Sequence, residues 1–311
     1  MKPQLSFIIP TKNEEESVNE LHRQIVTVCK KIKKTFEIIF VDDGSTDKTF
    51  EVLSKLNKKH KNVRVIKLRG WWGKSMALQA GFNHVRGEIV FTMDADLQDD
   101  PNEIPNFLKK LEEGFDMVSG WKKKRYDPIS KTFPSKIGNF ATRLLTGIKI
   151  HDLNCGFKVY KKEVIETLNL YGELYKYIPV LVEKQNFRVG EIIVKHKARK
   201  FGKSKFGWSR NVKGFIDMLT IVFITGYAKR PGHFFGTAGF LSFVAGFIIG
   251  VYISYLRFTT GTIQYRYPLL FLGILLMVIG IQLITTGLIA ELIIYKKADK
   301  KDSSNIEKVL N

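Results

Sequence analysis

Two stretches in the last third of the chain lack Asp, Glu, Lys and Arg for longer than a water-soluble fold tolerates. Between Arg230 and Arg257 stand 26 such residues, and between Arg266 and Glu291 stand 24 more, most of them apolar. A helix needs ~20 apolar residues to cross the hydrocarbon core of a bilayer. A two-helix transmembrane hairpin is therefore expected over 231–295. Lys229, Arg230 and the run from Lys296 to Lys301 flank it with more positive charge than the link Arg257–Arg266 holds. The positive-inside rule then puts both termini in the cytoplasm. Gly236, Gly239, Gly246 and Gly250 are candidates for a close helix–helix face, within the hairpin or in a homo-oligomer. Residues 206–230, amphipathic and then increasingly apolar, read as an interfacial helix. Residues 296–311 read as a basic cytoplasmic tail.

Residues 1–205 have a different pattern. Leu5–Ile9, Glu37–Val41, Val63–Leu68 and Ile89–Met93 are short apolar runs bounded by turn residues, the mark of buried strands. Between them Val18, Leu21, Ile25, Val28 and Ile32, then Phe50, Leu53 and Leu56, recur at helical spacing, and 75–84 reads as a third helix. Strands alternating with helices imply an α/β domain, a mostly parallel sheet with helices on both faces. Phe115–Gly120 and Glu191–His196 read as further strands. The leading apolar run is too short for a signal peptide, so this domain is expected in the cytoplasm. Cys29 and Cys155 form no CxxC pair, which leaves no disulfide framework and no zinc site to read.

In such sheets ligands sit beyond the carboxyl ends of the strands. That rule gathers Pro10–Glu14, Asp42–Asp47 and Asp94–Gln98 at one site. No GxGxxG follows the first strand and no GxxxxGK[ST] occurs, which argues against a dinucleotide dehydrogenase and a P-loop ATPase. Asp94 and Asp96, one residue apart beyond a strand end, can converge on one hard cation. Mg2+ or Mn2+ takes oxygen ligands and shares its sphere with phosphates. Asp99 and Asp100 read instead as caps, because Pro101-Asn102 looks like a helix start. Asp43 and Asp47 fit either ligand contact or turn and cap chemistry. Lys and Arg number 50 against 30 Asp and Glu, a net charge of +20. Such a balance calls for a polyanionic partner: nucleic acid, nucleotide phosphates or an anionic membrane face. Carboxylates at the strand ends would repel a nucleic-acid backbone, so no nucleic acid is expected.

Pro10-Thr11-Lys12-Asn13-Glu14-Glu15, Val41-Asp42-Asp43-Gly44-Ser45-Thr46-Asp47 and Asp94-Ala95-Asp96-Leu97-Gln98 stand in an order and spacing that resembles the inverting nucleotide-sugar glycosyltransferases of the GT-A fold. More narrowly, the chain resembles the polyprenyl-phosphate sugar transferases, of the dolichol-phosphate mannose synthase and bactoprenol glucosyltransferase type. The resemblance implies a Rossmann-like GT-A catalytic domain over 1–205. It implies a nucleoside pocket lined by Pro10, Thr11, Asn13 and Glu14, with Asp42 against the base and Asp43 and Ala95 in donor contact. Asp94, Asp96 and Gln98 would hold the metal and the sugar diphosphate, Asp96 with a catalytic part. Gly73-Lys74 matches a family Gly-Lys, so Lys74 is expected at a phosphate. Trp71-Trp72 departs from the commoner pattern, and these rings either stack on base or sugar or pack under the loop.

On the acceptor side the resemblance assigns Arg125, Lys131 and Ser135 to the acceptor phosphate, Lys131 standing where relatives commonly have Arg. Asp152, in the loop His151–Lys158, matches the candidate catalytic carboxylate, acting as a base or positioning substrate; His151 and Cys155 read as its neighbour and as packing. Arg199, Ser204 and Lys205 match a basic Arg-x-x-Gly-x-Ser-Lys segment that closes over both substrates, and a juxtamembrane basic stripe is the plainer reading of the same residues. The implied activity is transfer of one sugar, from UDP-glucose or a similar nucleotide sugar, to undecaprenyl or dolichyl phosphate with inversion at the cytoplasmic face. Two alternatives stand beside it. A processive polysaccharide synthase of the same fold usually carries a later Gln-x-x-Arg-Trp, absent here, and more membrane helices. A non-enzymatic binder of anionic ligands would use the charge alone.

Overall fold

The structure, a computed structural model, describes residues 2–123, 142–143, 146–195, 197, 231–263 and 265–298. It divides into two compact units, 1–225 and 226–311.

The first unit is built on a seven-stranded sheet, counted among the described residues, in the order β3-β2-β1-β4-β6-β5-β7. The strands are β1 Leu5–Thr11, β2 Phe36–Asp42, β3 Val63–Lys67, β4 Ile89–Thr92, β5 Met117–Trp121, β6 Lys158–Lys161 and β7 Val189–Ile193. β1, β2, β3 and β4 run parallel, as the alternation of strands and helices predicts, and β5 runs parallel to β7. β6 lies antiparallel between β4 and β5. It was not legible as a strand, because four residues with lysine at each end, KVYK, carry almost no apolar signal. β7 begins two residues before the expected Glu191 and ends at Ile193, where its register with Trp121 of β5 stops.

The period of two in each strand divides the core. Leu5, Phe7 and Ile9 of β1 face one layer and Ile8 faces the other. The first layer holds α1 Val18–Lys31, α2 Thr49–Lys59 and α4 Ile104–Glu112. The second holds α3 Lys74–Phe82, α5 Lys162–Glu166 and α6 Ile178–Glu183. Both faces of the sheet are thus covered, which explains why its strands read as continuous apolar runs. Gly81 lets α3 settle onto the sheet: a β-carbon there would stand 2.4 Å from the Ile8 side chain.

The second unit is a helical hairpin of α7 Pro231–Thr260 and α8 Tyr267–Ala298. Both helices are long and apolar enough to cross a membrane. The 30 residues of α7 extend about 45 Å, more than the ~30 Å of a hydrocarbon core. Two of the four candidate glycines turn their missing side chains straight onto the facing helix. A β-carbon on Gly239 would lie 2.6 Å from the Gly280 carbonyl oxygen, and one on Gly246 would lie 2.5 Å from that of Gly273. At Gly236 and Gly250 the same position is open, although the Gly236 nitrogen lies 3.5 Å from the β-carbon position of Gly287 on the facing helix. The Ser242 hydroxyl donates to the Leu276 carbonyl at 2.8 Å, and Glu291 Oε2 accepts the Gly232 N–H at 3.0 Å at the start of α7. The expected interfacial helix 206–230 lies outside the described residues.

Candidate active site

The register of the sheet brings the three acidic loops to one edge. Thr11 of β1 stands opposite Asp42 of β2, and Ile8 opposite Thr92 of β4. The first two loops are then laced together. Asn13, held at φ 51, receives the Thr46 N–H on Oδ1 at 2.8 Å and donates its own N–H to the Ser45 hydroxyl. The Glu14 N–H donates to the Thr49 hydroxyl, and Glu14 Oε2 accepts from Ser17. Pro10 pairs with Val41, and the Thr11 hydroxyl donates to the Val41 carbonyl. Asp42 is fully buried. Its Oδ1 accepts the Ser45 N–H at 3.1 Å, while Oδ2 has no hydrogen-bond partner among the described residues. A buried carboxylate oxygen left without a donor is costly, and the N–H groups of a ligand base are the kind of donor that relieves it.

Asp43 is differently engaged. Its two oxygens accept the N–H groups of Trp72 at 2.7 Å and Gly73 at 2.9 Å. Gly44, at φ +68, presses on the same loop; a β-carbon there would come within 2.6 Å of the Gly70 carbonyl carbon. Asp43 thus fixes the segment that delivers Lys74, with both oxygens occupied. Asp47 accepts the Thr49 N–H at the start of α2, the cap chemistry its sequence context offered.

Lys74 forms an ion pair with Asp94 and lies 5.2 Å from the ring centre of Tyr175. Behind Asp94 stand two lysines that the sequence does not assign to the site. Lys122, the first of four consecutive basic residues, is almost buried and pairs with Asp99 at 2.9 Å. Asp99 is therefore not a helix cap; Asp100 alone takes that part, accepting the Asn102 N–H at 3.1 Å. Lys158 is 3% exposed and donates to the Cys155 carbonyl. Burial alone would raise Asp94, but Lys74, Lys122 and Lys158 hold its carboxyl down at about 2. Burial would lower Lys74, yet Asp94 and Tyr175 outweigh it and the net shift is upward. Lys158 is lowered to about 8, by burial first and by the charge of Lys74, against the pull of Asp152 and Asp94.

Asp96 is buried, and its Oδ1 accepts the Gln98 N–H at 3.2 Å across Leu97, which sits at φ 61. Gln98 is tied to the chain four residues beyond β7, its carbonyl accepting the Lys197 N–H at 2.9 Å. Ala95 packs its methyl into the core between Met93 and Leu97, so any donor contact it makes is through backbone. Among the described residues no three His, Cys, Asp or Glu side chains form a ready metal site. Asp94 and Asp96 nonetheless offer what Mg2+ or Mn2+ prefers, hard oxygens with Asp94 held ionised, and such ions usually complete their sphere from phosphate and water.

Asp152 is 1% exposed. Its oxygens accept the N–H groups of Asn154 at 3.1 Å and Lys122 at 3.3 Å, bracing the 152–156 turn against β5. Glu191 of β7 gathers this loop: it accepts the backbone N–H groups of His151 and Asp152 and pairs with His151 Nδ1 at 2.8 Å. The His151 ring stacks on Trp121 at 4.3 Å. Cys155 is buried, as its reading as packing expects. Lys122, Lys158, Tyr175 and Glu191 are the members of the site that sequence reasoning missed. Arg125, Lys131, Ser135, Arg199, Ser204 and Lys205 lie outside the described residues.

The Glycosyl transferase family 2 profile matches residues 6–168. A dodecaprenyl-phosphate galacturonate synthase of Rhizobium johnstonii is 36% identical over 295 residues, 93% of this chain and 87% of the relative. An undecaprenyl-phosphate 4-deoxy-4-formamido-L-arabinose transferase of Salmonella typhimurium is 34% identical over 292 residues, 93% of this chain and 88% of the relative. These likenesses take in the apolar hairpin as well as the sheet. Among solved structures, glucosyl-3-phosphoglycerate synthase of Mycobacterium tuberculosis, in complex with Mn2+, uridine-diphosphate-glucose and phosphoglyceric acid, superposes with a TM-score of 0.56 at 18% identity, covering 71% of this chain and 80% of its own. A mannosyltransferase of Pyrobaculum calidifontis, in complex with GDP-Man and Mn2+, gives 0.51 at 20% identity, covering 72% and 64%. The two-sided, mostly parallel sheet with acidic loops at one edge, continued by two membrane-length helices, therefore belongs to glycosyl transferase family 2, and the chain is a membrane glycosyltransferase of the polyprenyl-phosphate group.

Proposed function

We propose that the enzyme transfers a single sugar from a nucleoside diphosphate sugar to polyprenyl phosphate, with inversion, on the cytoplasmic side of the membrane. The observation that carries this reading is the contiguous centre at the strand ends. Asp42 offers a buried, unpartnered oxygen for a base, and Asp43 fixes the loop that sets Lys74 against Asp94. An acceptor phosphate oxygen attacks the anomeric carbon, the bond from that carbon to the diphosphate oxygen breaks, and the nucleoside diphosphate leaves with the electron pair. The phosphate is already ionised near neutral pH, so no proton need move. Asp152, with both oxygens on backbone N–H groups, is then a positioning residue that shapes the 152–156 turn.

Asp94 and Asp96 are the residues that would hold a divalent cation, Mg2+ or Mn2+, which when bound would neutralise charge on the departing diphosphate. Lys74 supplies positive charge at the same carboxylate and can turn toward a phosphate. Arg125, Lys131, Ser135, Arg199, Ser204 and Lys205 are proposed for the acceptor phosphate on the strength of their motif positions. The basic flanks of the hairpin favour cytoplasmic termini. The domain boundaries read from the sequence, 1–205, 206–230, 231–295 and 296–311, belong to the same proposal.

The test is a donor panel. Membranes containing the enzyme receive labelled nucleotide sugars, polyprenyl phosphate and Mg2+ or Mn2+, and the lipid fraction is analysed. The sugars named for the relatives, galacturonate and 4-deoxy-4-formamido-L-arabinose, belong in the panel ahead of glucose. One sugar per lipid is the expected product. Asp96→Asn should abolish it while the protein still inserts in the membrane. A polymer would favour a processive synthase, and no lipid product with any donor would sink the reading.

A further inference from the structure

The loop between β3 and α3 carries two consecutive indoles, and they are the most exposed large apolar side chains of the first unit among the described residues. Trp71 is 74% exposed and Trp72 is 64% exposed. Met76, in the first turns of α3, and Tyr171 are exposed as well. Tyr171 belongs to a segment laid along α3, where the Leu170 N–H donates to Gln79 and the Tyr175 N–H to Ser75. Among the described residues of this unit five large apolar side chains are exposed, and four of them stand in this one region; the fifth, Ile193, is on β7.

Looseness does not explain the exposure. Asp43 grips the Trp72 and Gly73 N–H groups, and Gly44 packs its backbone on Gly70. The loop is fixed from beneath while its rings project. Basic residues flank it: the Lys12 ammonium lies 4.2 Å from the centre of the Trp71 ring, and Lys67 and Arg69, both exposed, precede the indoles in the chain. Indoles flanked by lysine and arginine match an anionic membrane interface, where the ring sits at headgroup depth and the cation meets lipid phosphate. Stacking on a nucleobase fits less well. Lys12 already covers one face of Trp71, adjacent side chains cannot both lie flat on one base, and the unpartnered Asp42 oxygen is fully buried.

We propose that Trp71, Trp72 and Met76 are a membrane-docking rim of the catalytic unit, seated in the interface of an anionic bilayer beside the Lys74–Asp94 centre. The inference rests on the reading of the acceptor as a lipid phosphate, because a rim of this kind brings the centre to the depth at which that phosphate lies.

The test reads tryptophan emission. The chain has four tryptophans, Trp71, Trp72, Trp121 and Trp208. The full-length Trp121→Phe, Trp208→Phe protein keeps only the rim pair and is reconstituted in phosphatidylglycerol vesicles with acyl chains either brominated or plain. Bromolipid should quench most of its emission. In the otherwise native chain, Trp71→Phe, Trp72→Phe should lower the fraction of emission that bromolipid quenches. Emission untouched by bromolipid overturns the proposal, as does a quenched fraction that rises when the rim pair is removed. Quenching by nucleoside diphosphate in detergent without quenching by bromolipid also overturns it and assigns the rings to the donor. No substrate is present in the vesicle measurement, so the two readings fail separately: quenching without lipid-linked product sinks the acceptor assignment, and product without quenching sinks the rim.

Discussion

The backbone of Gly156 lies directly on the carboxylate of Asp94. A β-carbon at that glycine would stand 2.5 Å from Asp94 Oδ2 and 2.7 Å from Oδ1. Gly156 lies outside the left-handed region, so the demand for glycine here is one of space alone. Gly156→Ala should push the carboxylate away from Lys74, and displacements of this size at a reacting centre cost about a hundredfold in rate. Gly70→Ala is the control, since nothing lies within 4 Å of its β-carbon position. Lipid-product kinetics on the two variants, with thermal unfolding beside them, should show activity lost only at Gly156 and folding kept in both. Equal activity would mean that the position of Asp94 does not matter.

Asp43 was legible as either a ligand contact or a turn residue, but not as a fastener between loops. Its hydrogen bonds to Trp72 and Gly73 bridge β2 and the loop after β3. Asn in its place keeps one acceptor and sets a donor against a donor at the other. Hydrogen bonds to a charged group contribute about 1.5–3 kcal/mol each, so Asp43→Asn should destabilise this region by roughly that amount for one bond. Amide exchange should quicken at Trp72 and Gly73 before it quickens in the β1–β2 core. Unchanged protection there would contradict the grip.

The half of the sheet that reads from the sequence is the half built by repetition. β1 to β4 alternate with amphipathic helices, so periodicity and the strand-end rule bring Asp42 and Asp94 to one edge without any coordinates. Beyond β5 the chain has no such repetition. β6 is four residues long and antiparallel, so neither period nor crossover announces it. Lys122 and Lys158 hide for a related reason. A lysine in a basic run is ordinarily a solvated charge, and only the fold shows that Lys122 meets Asp99 and that Lys158 is closed off behind Cys155. Glu191 is invisible in the same way, because its partners His151 and Asp152 are 40 and 39 residues away in sequence.

The unpartnered Oδ2 of Asp42 predicts a split between stability and binding. Asp42→Asn retains an oxygen for the Ser45 N–H and removes a buried negative charge. The fold should tolerate it. A site built to accept a hydrogen bond from a base loses the discrimination that bond supplies, so nucleotide affinity should fall about ten- to hundredfold. Calorimetric titration of both proteins with UDP and GDP, in detergent with Mg2+ or Mn2+, measures this. An unchanged affinity for whichever nucleotide binds the parent would remove Asp42 from the donor pocket.

Lys158 predicts a pH dependence of opposite sign to that of a salt-bridged lysine. Its ammonium is buried, with one hydrogen bond among the described residues, to the Cys155 carbonyl. Burial, then the charge of Lys74, bring it from 10.5 to about 8. Between those values the unfolded chain keeps a proton that the folded chain has released, so stability rises with pH across the window. Below about 8 both states are protonated and the cost of the buried charge is present in full; above 10.5 it has gone. Lys158→Met should therefore raise the unfolding midpoint of the catalytic unit at about pH 7 and flatten the rise toward alkaline pH. The same variant should lose about tenfold or more in kcat, because it withdraws a positive charge from beside Asp94 and Asp152. A midpoint that falls at neutral pH, with the alkaline slope intact, would make Lys158 a stabilising group and refute the cost of its burial.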